Sequence, residues 1–337
     1  ILVTGGLGYI GSHTVVELLN NNFEVVIIDD LSNTEKFILK NIEEISGKKP
    51  IFYPFDLKRK ELLKQVFDAH KIEGCIHFAA YKAVGESQEK PIDYYENNLF
   101  SLINLLQEMK ERNISNFIFS SSCTVYGQAD TMPIDENTPL KLPESSYGKT
   151  KQMGEEILKD FATAHQKKVT LLRYFNPIGA HPSAKLGELP IGIPNNLVPY
   201  VMQTAAGVRE KLSVWGNDYP TEDGTAIRDY IYVVDLAKAH VKALQKLISE
   251  NSETLVDIYN LGTGKGSSVL EVVHAFEKAN DVAVPYQICE RRAGDITIAY
   301  ANADKAEKEL GWKSETSLEE ALRTVWQWQK YLETREK

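Results

Sequence analysis

A glycine-rich turn near the start of the chain restricts the possible folds more than any other feature of the sequence. The apolar, β-branched run Ile1 to Thr4 leads into Gly5, Gly8 and Gly11, after which apolar residues recur at helical spacing. In a strand-turn-helix unit, such glycines allow a tight turn, let the backbone approach a pyrophosphate, and let the helix pack close to the sheet. The pattern predicts the first unit of a dinucleotide-binding domain.

A second strand-like run, Phe23 to Ile28, supports this prediction. It ends in Asp29 and Asp30, about 20 residues after the glycine turn, where an acidic side chain binds a ribose 2′-OH. A carboxylate would repel a 2′-phosphate, so we expect NAD and not NADP.

Strand-like and helical runs continue to alternate along the first half of the chain. The strand-like runs are Ile51 to Phe55, Cys75 to Phe78, Phe117 to Ser120 and Val169 to Tyr174, and the helical patterns between them are Leu57 to His70, Pro91 to Arg112 and Tyr147 to His165. This alternation predicts an α/β fold with a Rossmann-type, doubly wound parallel sheet. Ligands bind such sheets at the carboxyl ends of the strands.

The composition changes after Tyr174, which predicts a domain boundary. Residues 176–229 are rich in Pro, Gly and Asn, with one helical pattern at Leu197 to Gly207. We expect Asp235 to cap a helix through Ile248, and Ile258 to Gly262 to return to the first sheet. Amphipathic segments near Lys305 and at Leu318 to Leu332 close the chain. The predicted domains are therefore 1–175, with a returning segment near 230–262, and a smaller substrate domain, 176–337.

Tyr147 and Lys151 lie one helical turn apart, so both side chains share one helix face. An ammonium group beside a phenol favours the phenolate and lowers the phenol pKa. The pair is therefore a candidate proton shuttle for an alcohol, or else an ordinary exposed helix face. Three consecutive serines, Ser120 to Ser122, could complete the site or could only make local capping bonds at a strand end.

Charge and cysteine content exclude several classes of protein. The net charge is −9 and no basic run is present, which argues against nucleic acid and anionic membranes as partners. The three cysteines are far apart and favour a reduced, cytoplasmic protein over a disulfide framework or a zinc site, so we expect no metal. No apolar run approaches the ~20 residues of a membrane span. Because Ile1 already lies in a strand-like run, we expect that a few residues precede it.

Several blocks of sequence together resemble one family along essentially the whole chain. These blocks are Thr4 to His13, His77 to Ala79, Lys82 to Ser87, Ser120 to Gly127, Tyr147 to Lys151, Leu172 to Pro177, Gly192 to Leu197 and Arg228 to Ile231. They resemble the UDP-glucose/UDP-galactose 4-epimerases, which are extended short-chain dehydrogenases/reductases. The resemblance implies an NAD-binding Rossmann domain, a smaller sugar-nucleotide domain and a homodimer.

The resemblance also implies roles for individual residues. Tyr147 would be the acid/base, Lys151 would hold the nicotinamide ribose and lower the Tyr147 pKa, and Ser122 would hydrogen-bond the sugar 4-OH. The cofactor would contact Gly5, Gly8, Tyr9, Ile10, Gly11, Asp29, Asn33, Asp56, Leu57, Phe78, Ala79, Ala80, Lys82, Asn97, Ser120, Tyr147, Lys151 and Tyr174. The UDP-hexose would contact Lys82, Ser122, Thr124, Tyr147, Phe175, Asn176, Asn196, Leu197, Trp215, Arg228, Arg292, Asp295 and Ala299.

The implied reaction is a reversible inversion at C4. The Tyr147 phenolate would take the hydroxyl proton while the C4 hydride passes to tightly bound NAD⁺, and the 4-keto sugar would receive the hydride back on its other face. Arg228 and Arg292 suit the diphosphate, since a guanidinium can bind its oxygens in a bidentate manner. The alternative for these arginines is a surface ion pair with Asp229 or Glu290.

Two positions depart from the family pattern. Cys123 stands where the family usually has alanine. Ala299 stands where some members have a tyrosine wall beside the sugar 2-substituent, which implies that UDP-GlcNAc and UDP-GalNAc are also substrates. A one-residue slip in the alignment would place Tyr300 there instead.

Two rival functions remain open at the level of sequence. A sugar-nucleotide 4,6-dehydratase would place an Asp-Glu pair where this chain has Cys123 and Thr124. A non-catalytic NAD-binding protein would typically have lost the Tyr/Lys pair, which this chain retains.

Overall fold

A seven-stranded parallel sheet forms the centre of the computed structural model, which describes residues 1–249, 254–292 and 295–335. Its strands are β1 (Leu2–Thr4), β2 (Val26–Ile28), β3 (Ile51–Tyr53), β4 (Gly74–His77), β5 (Asn116–Ser122), β6 (Lys168–Tyr174) and, from much later in the sequence, the strand Val256–Leu261. The spatial order places this last strand beside β6, followed by β5, β4, β1, β2 and β3. The α/β Rossmann-type prediction is confirmed, including the returning strand.

Helices cover both faces of this sheet. They are α1 (Tyr9–Asn20), α2 (Phe37–Ser46), α3 (Lys60–Ala69), α4 (Val84–Glu89), α5 (Pro91–Tyr95), α6 (Ser101–Glu111) and α7 (Ser146–His165). Alternate strand residues enter opposite cores, because successive side chains of a strand point to opposite faces. Val3 packs on the face with α1 and α2, whereas Leu2 packs on the face with α3, α6 and α7.

The remaining elements complete or cover the main sheet, or form smaller sheets with helices of their own. They are β7 (Asn176–Ile178), α8 (Leu197–Ala205), β8 (Leu212–Trp215), β9 (Ile227–Arg228), β10 (Tyr230–Tyr232), α9 (Val233–Ile248), β11 (Val256–Leu261), β12 (Ser267–Ser268), α10 (Val269–Asn280), β13 (Tyr286–Cys289), β14 (Ile298–Ala299), α11 (Asp304–Leu310) and α12 (Leu318–Arg335). β10 pairs with β7, β8 with β13, and β9 with both β12 and β14. The sheet of β7 and β10 follows directly after β6 in the chain and so lies at the carboxyl edge of the main sheet.

The helical pattern predicted from Pro91 to Arg112 is interrupted. A π-helical turn, Glu96–Phe100, separates α5 from α6. The turn places Asn98 so that its amide oxygen accepts from Tyr81 N (2.8 Å) while its amide nitrogen donates to Thr150 Oγ1 (3.0 Å). π-turns of this kind often occur at functional sites, and this one faces the ligand edge of the sheet.

The prediction that Asp235 caps a helix is wrong. Helix α9 begins at Val233, immediately after β10, and Asp235 lies in its first turn. Its buried carboxylate instead accepts hydrogen bonds from the backbone of Glu315 (3.1 Å) and Thr316 (3.0 Å), which attaches the segment before α12 to α9.

Among the described residues, no helix combines the length and the apolar character that crossing a membrane would require.

Candidate active site

A cavity of about 730 Å³ opens at the carboxyl edge of the main sheet. All of the residues that the sequence predicts for the cofactor line it, namely Gly5, Gly8, Tyr9, Ile10, Gly11, Asp29, Asn33, Asp56, Leu57, Phe78, Ala79, Ala80, Lys82, Asn97, Ser120, Tyr147, Lys151 and Tyr174. They meet because the carboxyl ends of parallel strands share one edge of a sheet. The cavity is therefore the candidate dinucleotide site.

The glycine turn forms one end of this cavity and requires glycine for steric reasons. Gly5 has φ +68°, and a Cβ there would lie 2.8 Å from Ala79 N. A Cβ on Gly11 would lie 2.1 Å from Gly5 O, so only glycine lets α1 pack this closely. The N-cap of α1, Gly8, offers no side-chain acceptor to the first-turn amides, which suits an anion at this helix N-terminus.

Asp29 follows β2 and is held by the backbone around it. Its carboxylate oxygens accept from Leu7 N (3.0 Å) and Leu31 N (3.0 Å). Burial raises the pKa of Asp29, and these two N–H donors oppose that effect. The carboxylate is thereby fixed on the wall of the cavity.

Helix α7 brings the proton-transfer candidates to the same cavity. Ser145 caps the helix by accepting from Gly148 N (3.1 Å), which places Tyr147 in the first turn. Ser122, the last residue of β5, lies beside the Tyr147 phenol. Lys151, one turn further along, donates from Nζ to Ser120 O (2.6 Å) and lies 5.8 Å from the centroid of the Tyr147 ring.

The pKa directions in this cluster differ from the prediction. Burial raises the pKa of Tyr147 to about 12, and the neighbouring Ser122 only partly opposes this. Burial lowers the pKa of Lys151 to about 7, which Glu155 counteracts. The predicted lowering of the Tyr147 pKa by Lys151 is therefore wrong for the protein groups alone, because desolvation is the largest effect on the phenol and Lys151 is not among the groups that oppose it.

A second group of predicted residues lies on the short sheets beyond Ser122. Ala299 on β14 is the register partner of Arg228 on β9. Ala299 is buried with Phe175 in a small apolar cluster, against which Cys123 packs. Tyr300, the alternative wall residue, has its ring beside Gly266 instead. Asn176 starts β7 and donates its N–H to Asp229 O (2.9 Å).

The two predicted diphosphate arginines have different surroundings. Arg228 does not pair with Asp229: its guanidinium donates to Ile227 O (2.8 Å). Asp229 is fully buried and accepts from Thr263 N (2.8 Å) and Oγ1 (2.7 Å). Arg292 pairs with Asp295 (3.0 Å), not with Glu290, and its Cζ lies 5.9 Å from the centroid of the Trp215 ring.

The remaining predicted contacts lie along the rim. Asn196 lines the cavity and is the N-cap of α8, whose first residue is Leu197. Thr124, in a 3₁₀ turn after β5, has a buried Oγ1 that finds no partner within the described part of the chain. A side chain of this kind is available to a ligand or a water molecule.

Sequence reasoning missed two acidic residues at the site. Glu188 lines the cavity, and its carboxylate accepts from Lys82 Nζ (2.8 Å) and Asn196 Nδ2 (2.7 Å). It lies in an irregular segment where no periodicity marks it. Glu155 lies two turns along α7 from Tyr147, and this spacing could have indicated a third residue on the same helix face.

Three comparisons give the relationship of this chain to known proteins. A family model described as GDP-mannose 4,6 dehydratase matches residues 2–325. A UDP-glucose 4-epimerase of Bacillus subtilis (strain 168) is 53% identical over 330 residues, which cover 98% of this chain and 96% of that protein. Both the fold and the sequence therefore have close counterparts among sugar-nucleotide enzymes.

Two crystal structures of UDP-glucose 4-epimerases match the fold. The protein from Bifidobacterium longum, in complex with NAD⁺ and UDP, has a TM-score of 0.94 and 48% identity over 98% of each chain. The protein from Stenotrophomonas maltophila, with bound NAD and formylated UDP-arabinopyranose, has a TM-score of 0.95 and 44% identity over 99% of this chain and 98% of that one. The chain belongs to the UDP-glucose 4-epimerase family of extended short-chain dehydrogenases/reductases.

Proposed function

We propose that this chain is an NAD-dependent UDP-glucose 4-epimerase that interconverts UDP-glucose and UDP-galactose. One observation carries the proposal: Tyr147 and Lys151 lie together on the wall of a cavity that begins at a dinucleotide-type glycine turn, and Ser122 lies beside the Tyr147 phenol. The identity of 53% to a UDP-glucose 4-epimerase over nearly the whole chain supports it.

The cavity fits NAD in both shape and chemistry. The glycine turn and the uncapped start of α1 suit the pyrophosphate, and the Asp29 carboxylate suits a ribose diol. When bound, NAD⁺ supplies a group that accepts the hydride and can return it, and it also supplies a positive charge beside the site. An inversion with no net oxidation requires both acceptance and return, so we propose that the cofactor stays bound between turnovers.

Tyr147 is the group that holds and moves the substrate proton in this proposal. The positive charges of bound NAD⁺ and of Lys151 would lower the pKa of Tyr147 from the value that burial gives it, so that its phenolate oxygen removes the proton from the C4 hydroxyl as the carbinol is oxidised and returns it when the ketone is reduced. Ser122 would orient that hydroxyl, since it lies beside the Tyr147 phenol. Lys151 contributes a cation when protonated, and its pKa of about 7 lets it change charge near neutral pH.

The second group of residues holds the UDP moiety in this proposal. Arg228 and Arg292 would bind the diphosphate oxygens, and Trp215, whose ring is partly exposed, would stack on the uracil. Asn176 and Asn196 would bind polar edges of the nucleotide. Anchoring at the diphosphate would leave the hexose free to turn and present either face of C4 to the cofactor. In this division, 1–175 and the returning segment bind NAD, and 176–337 binds UDP.

We also propose that the sugar pocket admits 2-acetamido sugars, so that UDP-GlcNAc and UDP-GalNAc are substrates. Ala299 has only a methyl group beside Cys123 and Phe175. Because the Tyr300 ring lies at Gly266, on the other side of β14, it leaves this space open.

A homodimer is proposed from the exposed apolar side chains of two neighbouring helical segments. Ile92 is 71% exposed and Phe100 55% exposed on the α5 to α6 segment, and Met153 is 45% exposed on α7. Large apolar side chains clustered on a surface mark an interaction site, and a two-fold interface would pair this face with itself. We place this dimer in the cytoplasm, in keeping with three free cysteines.

The rival 4,6-dehydratase reaction lacks its chemical groups here. Elimination of the C6 hydroxyl needs an acid and a base after Ser122, but Cys123 and Thr124 occupy these positions. A thiol and a hydroxyl thus stand in place of the carboxyl pair that supplies the acid and the base for this elimination. The matching family model is described as a dehydratase, but we propose epimerisation for this chain because it lacks the acid and base of the dehydratase reaction.

One assay separates the three candidate functions. Purified protein is incubated with UDP-galactose without added NAD, and the products are resolved by chromatography and mass. We expect UDP-glucose, with NAD released when the protein is denatured. A 4-keto-6-deoxy product would identify a dehydratase, and bound NAD without any conversion would identify a binding protein.

A further inference from the structure

The last three residues of β5 each contact α7, which carries Tyr147. Ser122 lies beside the Tyr147 phenol, and Ser120 O accepts from Lys151 Nζ (2.6 Å). Between them, Ser121 Oγ donates to Glu155 Oε1 (2.6 Å). Tyr147, Lys151 and Glu155 lie on successive turns of one face of α7. Each of these three residues is therefore contacted by a different one of the three serines.

Glu155 is held from a second side by strand β6. Arg173 donates from Nε to Oε1 (2.8 Å) and from Nη2 to Oε2 (2.5 Å) of Glu155. The Glu155 side chain is 0% exposed and that of Arg173 is 2% exposed. The carboxylate thus receives three hydrogen bonds with fixed directions from two strands of the sheet.

The same arginine continues the network toward the predicted sugar wall. Arg173 Nη1 donates to Tyr126 Oη (3.0 Å), which donates to Asn260 Oδ1 (2.7 Å). Asn260 Nδ2 then donates to Ile134 O (2.9 Å). Ile134 N donates to Tyr300 O (2.9 Å), one residue beyond Ala299.

We propose that Glu155, held by Ser121 and Arg173, is a positioning residue that sets the register of α7 on β5 and so places Tyr147 and Lys151 against Ser122. This inference deepens the proposed function and rests on it. Apolar contacts between α7 and the sheet restrict sliding only weakly, because they have no direction, whereas hydrogen bonds to one carboxylate do. A buried ion pair also contributes little net stability. We therefore assign the Glu155–Arg173 pair a role in fixing geometry and not in stabilising the fold.

The charge of Glu155 has a second effect on Lys151. Burial lowers the pKa of Lys151, and the Glu155 carboxylate raises it. The other groups near the amine are Tyr147 on α7, Tyr174 on β6 and His77 on β4. Burial lowers the pKa of His77 to about 3, so the imidazole is neutral. Glu155 is therefore the one carboxylate among these groups that keeps Lys151 charged.

The test uses the NAD-loaded protein and three variants. Ser121→Ala removes one hydrogen bond to Glu155 and changes no charge, whereas Glu155→Gln removes the charge. Thr204→Val is the control, because it removes an equally buried hydroxyl (Oγ1 to Tyr200 O, 2.9 Å) on α8, away from the network. Turnover of UDP-galactose is measured per mole of bound NAD, so that a loss of folded or NAD-loaded protein does not lower the measured rate. Acetylation of Lys151 against pH in nucleotide-free protein, read by peptide mass, gives a readout that needs no activity.

For Ser121→Ala we expect kcat to fall roughly 10- to 100-fold, since displacement of reacting groups by about 1 Å has effects of this size. We expect KM to stay within about twofold, because uniform substrate binding is unchanged. In Glu155→Gln, half-acetylation of Lys151 should shift to lower pH by about one unit or more. The control should match the wild type in both measurements.

The inference is overturned if both variants keep wild-type kcat per bound NAD and an unshifted acetylation curve. If Glu155→Gln does not fold, Ser121→Ala and Tyr126→Phe, which leave the Arg173–Glu155 charges intact, decide by the same kcat criterion. If the wild type converts no UDP-galactose, the proposed function fails, and the acetylation curve of Glu155→Gln alone supports or rejects the role of Glu155.

Discussion

Ala299 is the register partner of Arg228 in the parallel pairing of β14 with β9. The residue proposed to bound the sugar pocket is thus held by backbone hydrogen bonds beside the residue proposed to bind the diphosphate. A ligand anchored at Arg228 would therefore extend past position 299, and the size of the side chain there would decide which sugars enter.

The first prediction concerns this position. Ala299→Tyr should lower kcat/KM for UDP-GalNAc by about 10- to 100-fold, because the added ring would clash with the 2-acetamido group, and overpacking of this kind costs ~1–3 kcal/mol. Activity on UDP-galactose should change less than about threefold. Steady-state kinetics on both substrates checks this, with Tyr300→Phe as the control that should alter neither. Equal losses on the two substrates would contradict the proposed wall.

The second prediction concerns the proton-transfer group. Tyr147→Phe removes the phenol oxygen and should lower kcat by roughly 10²- to 10⁴-fold, the usual contribution of a positioned acid/base. Bound NAD should be retained, because the ring still packs beside the cofactor site. Tyr259→Phe removes a buried phenol elsewhere and should retain wild-type turnover. Near-wild-type turnover in Tyr147→Phe would exclude Tyr147 as the acid/base.

The third prediction concerns stability against pH. Burial lowers the pKa of Lys151 to about 7, below its unfolded value near ~10.4. Between these values the unfolded chain holds a proton that the folded chain lacks, so folded stability rises with pH. The slope from this group is up to about 1.4 kcal/mol per pH unit. Urea unfolding of nucleotide-free protein from pH 7 to 10 should show this slope in the wild type relative to Lys151→Met. Parallel curves would show that the amine is not desolvated.

The fourth prediction concerns the buried pair of Glu155 and Arg173. Arg173→Met alone should lower the free energy of unfolding by about 3–5 kcal/mol, because it leaves a buried carboxylate without its partner. Combined with Glu155→Leu, the loss should be well below the sum of the two single losses, since neither charge then remains. A double-mutant cycle by chemical denaturation measures this coupling. Additive losses would mean that the two side chains do not interact in solution.

The fifth prediction concerns assembly. Phe100→Asp places a charge at the centre of the exposed apolar face of α5, α6 and α7 and should convert a dimer to a monomer in sedimentation velocity. Val208→Asp is the control, because Val208 is also a highly exposed apolar residue but lies outside this face. A wild type that sediments as a monomer, or a Phe100→Asp protein that remains dimeric, would reject this interface.

The residues that line the cavity could be predicted because two rules act together. Glycine spacing and the acid after β2 mark the dinucleotide turn, and a parallel sheet brings the ends of distant strands, such as Ala79 and Ser120, to one edge. The proton-transfer pair was also visible, since Tyr147 and Lys151 lie one turn apart. The β/α alternation likewise predicted every strand of the main sheet, although β2 and β3 are shorter than the apolar runs suggest.

Other features depend on packing that a linear pattern does not contain. The direction of the Tyr147 pKa depends on how completely the phenol is desolvated, which spacing does not reveal. Glu188 lies in an irregular segment and meets Lys82 only in three dimensions. The π-turn after α5 arises from hydrogen bonds of Asn98 to another segment, so helical periodicity alone predicted one uninterrupted helix.

The return of β11 to the main sheet has a consequence for biosynthesis. Until Val256–Leu261 pairs with β6, β6 has an unpaired edge. Exposed strand edges promote association between chains. The sheet is therefore completed only after the ribosome has synthesised the whole segment between β6 and β11. A nascent chain that stalls within this interval would expose β6 and depend on chaperones to avoid aggregation.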